Sequence, residues 1–242
     1  SMPAGSDERF VNSSSKLVIA AIAVGGLIVP WLALGQPADE QLLEMLDVGF
    51  RVLFTVLVAV VVPVYLVKYG ATNFLWFSDI GLLGLCAALW LEHRLLGSMM
   101  ALAVLLPEAL WLASFITGAI AKGRGTTTLA TYMFDSRISL FMRALSGAFH
   151  FALPPAALWL VYRYGYDERA FVAQTILAWV VLPATLWLAP PAKNVNWVRG
   201  FGHPPRRRLP LAVHFGLVML GFPLLFYLPT HWLLVQYFGG CS

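Results

Sequence analysis

Three ionisable side chains, Asp79, Glu108 and His150, lie inside long apolar runs of this chain. A charge at the centre of a bilayer costs at least about 3 kcal/mol on insertion scales, so such groups face inward, pair or line a wet cavity. Ser78 stands beside Asp79, with Asn73 and Trp76 just ahead of it. Ser139, Arg143, Ser146, His150 and Pro154 follow one another at intervals of 4, 3, 4 and 4, which is one face of a helix. A hydroxyl, an imidazole and a carboxylate that converge can perform nucleophilic or general acid–base chemistry. The expected roles are Ser78 as nucleophile, His150 as base, Asp79 as orienting or electrostatic group and Glu108 as a second acid near the midplane. Arg143, in the same stripe as Ser146, suits Asp79 or the phosphate or carboxylate of a headgroup. Asn73 and Asn196 could donate to an oxyanion, and Trp76 and Trp197 complete the expected substrate-binding set. Two other readings use the same residues. Asp79, Glu108 and His150 form a proton relay for a coupled carrier, or they are paired structural groups in a non-catalytic binding or assembly protein.

Those residues need a membrane to position them. The chain of 242 residues is 60% hydrophobic and 12% charged, with mean hydropathy +0.76; a soluble domain carries about twice that charged fraction. No hydrophilic block is large enough for a separate soluble domain. The expected fold is therefore all-α: a polytopic integral membrane bundle of about seven transmembrane helices. Residues 1–15 read as a flexible N-terminal segment and 16–242 as a single transmembrane domain. Spanning requires roughly 20 apolar residues, which predicts spans at Lys16–Leu34, Val48–Val67, Thr72–Leu91, Leu96–Ile120, Ile138–Val161, Ala170–Leu188 and Leu209–Phe238. The first lacks a small-residue cleavage site and reads as a retained span. Gln36–Asp47 reads as a short loop or interfacial helix.

With seven spans, eleven Lys and Arg fall on the side of the N-terminus and four (Arg51, Arg94, Arg163 and Arg169) on the other. Positive residues favour the cytoplasm, so the N-terminus is expected to be cytoplasmic, in a bacterial inner membrane or its equivalent. The basic run Arg206-Arg207-Arg208 has no helix, ribbon or aromatic platform beside it for nucleic acid and reads as a topology signal. Cys86 and Cys241 suggest no disulfide framework. His214 and His231 are weaker site candidates, and His93 and His203 are expected to be solvated. The tetrapeptide (Ala/Thr)-Leu-Trp-Leu recurs at 88, 109, 157 and 185, at unequal spacings that give no repeat.

Phe74-Leu75-Trp76-Phe77-Ser78-Asp79 is similar to the Phe-Leu-Thr-Phe-x-(Asn/Asp) segment of the androgen-induced-protein family, multi-span hydrolases of fatty-acid esters of hydroxy fatty acids. His150-Phe151-Ala152-Leu153-Pro154 is similar to the segment after that family's catalytic histidine, which also runs into Leu-Pro. Trp197-Val198 resembles the start of its late Trp-Val-Tyr-Pro segment. The resemblance implies ester hydrolysis with His150 at the centre. It departs at the nucleophile, because the family's threonine aligns with Trp76, which cannot attack an ester. Ser78 lies two residues on, about 200° around a helix, so a Ser78 nucleophile requires the helix to be rotated or unwound there. A second resemblance is to ceramidase-like seven-span zinc hydrolases, whose His-x-x-x-His pair is missing here. Zinc held by Asp79, His150 and His214 is the alternative to a cofactor-free site. The expected function is an enzyme acting on a lipid or hydrophobic substrate by ester hydrolysis or acyl transfer, from an intramembrane cavity facing the cytoplasm. Its expected partners are the bilayer, a lipid-like substrate and a second copy in a homo-oligomer.

Overall fold

The computed structural model describes residues 40–121, 129–202 and 204–239, and the regular elements among them are helical. They are α1 (Glu40–Tyr69), α2 (Phe77–Leu91), α3 (Arg94–Ile120), α4 (Leu140–Tyr164), α5 (Ala170–Leu188) and α6 (Leu211–Phe238). Five of these, all but α2, are long and apolar enough to cross a membrane. The protein is thus an all-helical, multi-pass membrane protein. The expected span at Lys16–Leu34, the N-terminal segment, His203 and Cys241 lie outside the described residues.

Helix α3 is the axis of the bundle and packs against α2, α4, α5 and α6. Met100, Ala101, Leu102, Ala103 and Val104 are buried in succession, so α3 is enclosed around a full turn. By contrast, α1 buries one stripe, Leu43, Asp47, Phe54, Leu57, Val61 and Tyr65, and among the described residues leaves Met45, Val48, Val52, Val56 and Val67 exposed. That is the pattern of a helix with protein on one side and lipid on the other. Small residues bring α2 and α3 close together. A Cβ on Gly81 would stand 2.3 Å from Val104 Cγ1, and one on Gly84 would stand 2.2 Å from Met100 Sδ. Side-chain-free positions of this kind let helix backbones approach within a membrane.

Proline shapes α6. Pro223 has no N–H for the carbonyl of Met219, four residues back. The Trp179 indole on α5 donates to that oxygen at 3.0 Å, and Phe222–Tyr227 widens into a π-helical turn. The freed carbonyl is thus satisfied by a neighbouring helix, which is how spanning helices tolerate proline.

The expected third span is interrupted. Gly70 (φ 77°) ends α1, Ala71–Leu75 makes a 3-10 turn, and Trp76 is extended at φ −63°, ψ 137° before α2 starts. At 15 residues α2 is about 22 Å long, less than the hydrocarbon thickness of about 30 Å. The break leaves a carbonyl at Leu75 and an N–H at Phe77 that a continuous helix would satisfy internally. Asn196, from the α5–α6 connection, satisfies both: Nδ2 donates to Leu75 O at 2.7 Å, and Oδ1 accepts from Phe77 N at 3.3 Å. Lys193 of the same connection donates to Tyr69 O at the end of α1. One loop therefore seals the α1–α2 turn.

The opposite end of the bundle is held by ion pairs. Arg163 joins Glu40 and Asp47, and Trp159 Nε1 donates to Asp47 at 2.7 Å. Arg51 pairs with Glu92, and Arg94 donates to the Tyr166 carbonyl at 2.6 Å. The residues up to Asp47, expected as a loop or interfacial helix, are from Glu40 onward continuous with α1. The Asp47 pairing explains why: the acidic stretch is helical because its carboxylates have partners on α4.

Candidate functional site

The end of the bundle that carries the Trp76 break also gathers the chemistry. Its residues come from the end of α1, the 3-10 turn, the start of α2, the middle of α3 and the first half of α4. At the centre, His150 Nδ1 lies 2.8 Å from Glu108 Oε2. Glu108 comes from mid-α3 and is 4% exposed. A carboxylate accepts, so with Glu108 ionised the proton sits on Nδ1 and the lone pair on Nε2. Nε2 makes no hydrogen bond to a described residue. The imidazole is sandwiched: the Trp111 ring is 4.4 Å away at 14°, and the Phe149 ring 4.2 Å away at 28°. Stacking against the two aromatic rings fixes the imidazole plane.

Asp79 lies in the first turn of α2. It is 2% exposed; Asn73 Nδ2 donates to its Oδ2 at 3.2 Å, while its Oδ1 is buried without a partner among the described residues. Glu108 is within electrostatic reach of Asp79. Between the carboxylates and the loop lies a set of hydroxyls. Tyr132, from the short 3-10 turn Thr131–Phe134, is 2.8 Å from Ser146 Oγ, and the Tyr65 hydroxyl approaches the same serine. Both Glu108 and Asp79 act electrostatically on the Tyr132 hydroxyl. The Trp111 indole N–H also approaches that hydroxyl, outside hydrogen-bond geometry. The Thr131–Phe134 turn lies against the cluster through the Tyr132–Ser146 contact and the bond from Arg143 to Met133 O.

The structure distributes the expected site residues as follows. Glu108, His150 and Ser146 belong to the cluster, as do Asp79 and Asn73. The group that orients His150 is Glu108, whereas Asp79 takes its hydrogen bond from Asn73. Arg143 Nη1 donates to Met133 O at 3.2 Å, which ties α4 to the Thr131–Phe134 turn. Ser78 is half-buried and makes no hydrogen bond to His150. A Ser78 nucleophile requires the helix to be rotated or unwound at Ser78, but Ser78 lies in the first turn of α2; the break stands two residues earlier, at Trp76, which is half-buried and caps α2. Asn196 also contacts Thr185 Oγ1 at 3.4 Å and serves as the plug of the break described above. Trp197 has φ 61°, and its carbonyl accepts from His214 Nε2 at 2.9 Å. That bond engages His214 with the loop rather than with Asp79 and His150. Among the described residues no group of three His, Cys, Asp or Glu is gathered to hold a metal. His231 is held by the Tyr166 hydroxyl at 2.7 Å, and His93 caps α3 by accepting from Leu96 N at 3.2 Å.

Three residues of the cluster, Tyr65, Trp111 and Tyr132, were not among the expected site residues. Tyr65 and Trp111 fall among apolar neighbours in helices, and Tyr132 lies in a loop, where periodicity gives no direction. Comparison with protein-family models, with curated proteins and with solved structures gives no match to this chain.

Proposed function

We propose that the protein is a membrane-embedded enzyme that uses the Glu108–His150 dyad for general acid–base chemistry on a lipid or other hydrophobic ester. The reaction is hydrolysis or acyl transfer. The observation that supports it is the 2.8 Å contact on His150 Nδ1, which leaves Nε2 available as a base. This is the arrangement in which a carboxylate sets the tautomer of a catalytic histidine. Nε2 takes the proton of the attacking hydroxyl, that of Ser78 or of water, as its oxygen bonds to the acyl carbon. The imidazolium, beside Glu108, then returns the proton to the alkoxide as the acyl C–O bond breaks; an acyl group left on Ser78 is released by the same sequence with water or an acceptor alcohol as the attacking hydroxyl. The short-motif resemblance to the androgen-induced-protein hydrolases agrees with this reading at His150-to-Pro154 and departs from it at Trp76.

The topology proposed with it has seven spans, the N-terminus in the cytoplasm and the site in the cytoplasmic half of a bacterial inner membrane or its equivalent. The bias of eleven positive residues against four supports that orientation. The test is turnover by the purified protein of a panel of lipid esters that includes a fatty-acid ester of a hydroxy fatty acid. Glu108→Gln and His150→Ala should each lower the rate by a factor of about 10² to 10⁴. A fluorophosphonate probe that labels wild type but not Ser78→Ala identifies the nucleophile. No turnover and no labelling would sink the proposal.

A second reading rests on the unpartnered Oδ1 of Asp79. A buried carboxylate oxygen near a second carboxylate suits a transported proton or cation, with Asp79, Glu108 and His150 as the relay. Solute flux into liposomes that depends on pH and is lost in Asp79→Asn would favour it. Flux that survives both Asp79→Asn and Glu108→Gln would remove it.

A further inference from the structure

From Ala170 to Ser242 the chain contains Lys193, Arg199, Arg206, Arg207 and Arg208, and no Asp or Glu. Lys193 and Arg199 are half-buried and engaged by the fold: Lys193 donates to Tyr69 O, and Arg199 to Leu186 O. The other three are consecutive and exposed, and none of the ion pairs among the described residues involves them. They are not on a loose tail. Phe201 and Arg206 exchange backbone hydrogen bonds of 2.8 Å in both directions. Asn194 Nδ2 donates to Gly200 O at 2.7 Å and to Gly202 O at 3.0 Å, and Arg207 Nη1 donates to Arg199 O at 3.1 Å.

The loop so fixed forms a cavity of about 430 Å³, lined by Phe201, Arg206, Arg207, Arg208, Leu209 and His214. From Leu209, just before α6, a stripe of exposed apolar side chains continues along the helix through Val213, Leu217, Leu220, Leu224 and Leu228, at intervals of 4, 4, 3, 4 and 4. A basic pocket adjoining a continuous greasy track matches an amphiphile with an anionic head and an acyl chain. A soluble polyanion would use the arginines and leave the track unexplained.

We infer that the Phe201–Leu209 pocket at the foot of α6 is a binding site for the phosphate headgroup of an anionic phospholipid, whose acyl chain lies along the Leu209–Leu228 stripe. Arginine forks bind phosphate bidentately, and basic pockets at the cytoplasmic ends of spanning helices recognise anionic headgroups. The site is separate from the Glu108–His150 cluster and holds whether or not that cluster is catalytic.

The experiment is a lipid titration of the full chain in neutral detergent, read by native mass spectrometry. It compares phosphatidylglycerol with phosphatidylcholine of the same acyl chains. Phosphatidylglycerol should bind at least about tenfold more tightly. The variant Arg206→Gln/Arg207→Gln/Arg208→Gln should lose that preference, and Arg137→Gln, an exposed arginine at the same end, should keep it. Because removal of three positive charges can disturb insertion, the Arg→Lys version of the triple variant is measured as well. It retains charge but loses the fork, and should bind several-fold more weakly than wild type. Equal binding of the two lipids by wild type overturns the inference, as does a preference that survives in the triple Gln variant or is undiminished in the triple Lys variant. Displacement of phosphatidylglycerol by equimolar inorganic phosphate, or by an RNA oligonucleotide, also overturns it, since either marks a site for a soluble anion.

Discussion

Replacing Asn196 with Ala tests whether one amide holds the α2 start in place. Asn196 is 2% exposed and bridges Leu75 O and Phe77 N. Without it, a buried acceptor and a buried donor lose their partners, each at about 1–3 kcal/mol. The 3.3 Å bond to Phe77 is the weaker of the two, so its loss belongs at the low end of that range. Asn196 also sits at φ 49°. Alanine pays roughly 1 kcal/mol more than asparagine or glycine in that left-handed region. The total is about 3–5 kcal/mol. For a chain of this size that lowers the melting temperature by roughly 10 °C. The assay is thermal unfolding in detergent followed by tryptophan fluorescence, with hydrogen exchange at the Phe77 amide as the local reading. Asn196→Gly separates the two contributions, because it loses the bonds and keeps the backbone, and should be milder than Ala by about 1 kcal/mol. Asn196→Asp keeps an acceptor for Phe77 N–H but turns an anion onto Leu75 O, and should be no better than Ala. An Asn196→Ala protein that melts within about 2 °C of wild type, with Phe77 exchange unchanged, would refute the plug.

Further outcomes follow from the packing. Trp179→Phe strips the donor from the Met219 carbonyl and should cost about 1–2 kcal/mol; adding Pro223→Ala restores a backbone N–H and should recover most of it, read as a double-mutant cycle of melting temperatures. Gly81→Ala should destabilise more than Gly84→Ala, by about 1 kcal/mol or more, because Val104 is β-branched and stiff whereas Met100 can swing away. In the α4–α5 turn, the Arg169 guanidinium and backbone N–H hold Asp167 below the usual carboxylate range. Its folded pKa is depressed, so its contribution is present above the unfolded value of about 3.9 and is lost as pH falls through the lower folded value. Arg169 is mostly exposed, so the contribution is at most about 1 kcal/mol. The melting temperature should therefore fall more steeply below about pH 4 in wild type than in Asp167→Asn.

Some of the site was legible because membrane insertion is a severe filter. Glu108 and His150 were candidates for one reason, an ionisable group in an apolar run, and they prove to be partners. Arg143, Ser146 and His150 of the expected stripe lie in α4, where helix periodicity sets which side chains share a face, whereas Ser139 stands before the helix as its N-cap, accepting from Met142 N. The pairing was not legible. Asp79 was expected to orient His150 and to attract Arg143, yet its donor is Asn73, and Arg143 turns to the Met133 carbonyl. Pairing depends on which helices meet and at what height, and no local pattern carries that.

The four copies of (Ala/Thr)-Leu-Trp-Leu make the same point. Trp90 reaches Thr55 at the surface, and Trp111 stacks on the site histidine. Trp159 is fully buried on Asp47, and Trp187 is 84% exposed. Identical local sequence has four environments because the neighbours differ. What the sequence determined by itself was the solvent: apolar length and sparse charge require helices in a membrane, and the cost of burying charge marks the residues that must be paired. What only the tertiary structure decided was the break at Trp76. An unbroken run Thr72–Leu91 reads as one span, because the local chain holds no reason to stop. The reason is Asn196, 120 residues beyond Trp76, whose amide replaces the hydrogen bonds that the helix gives up.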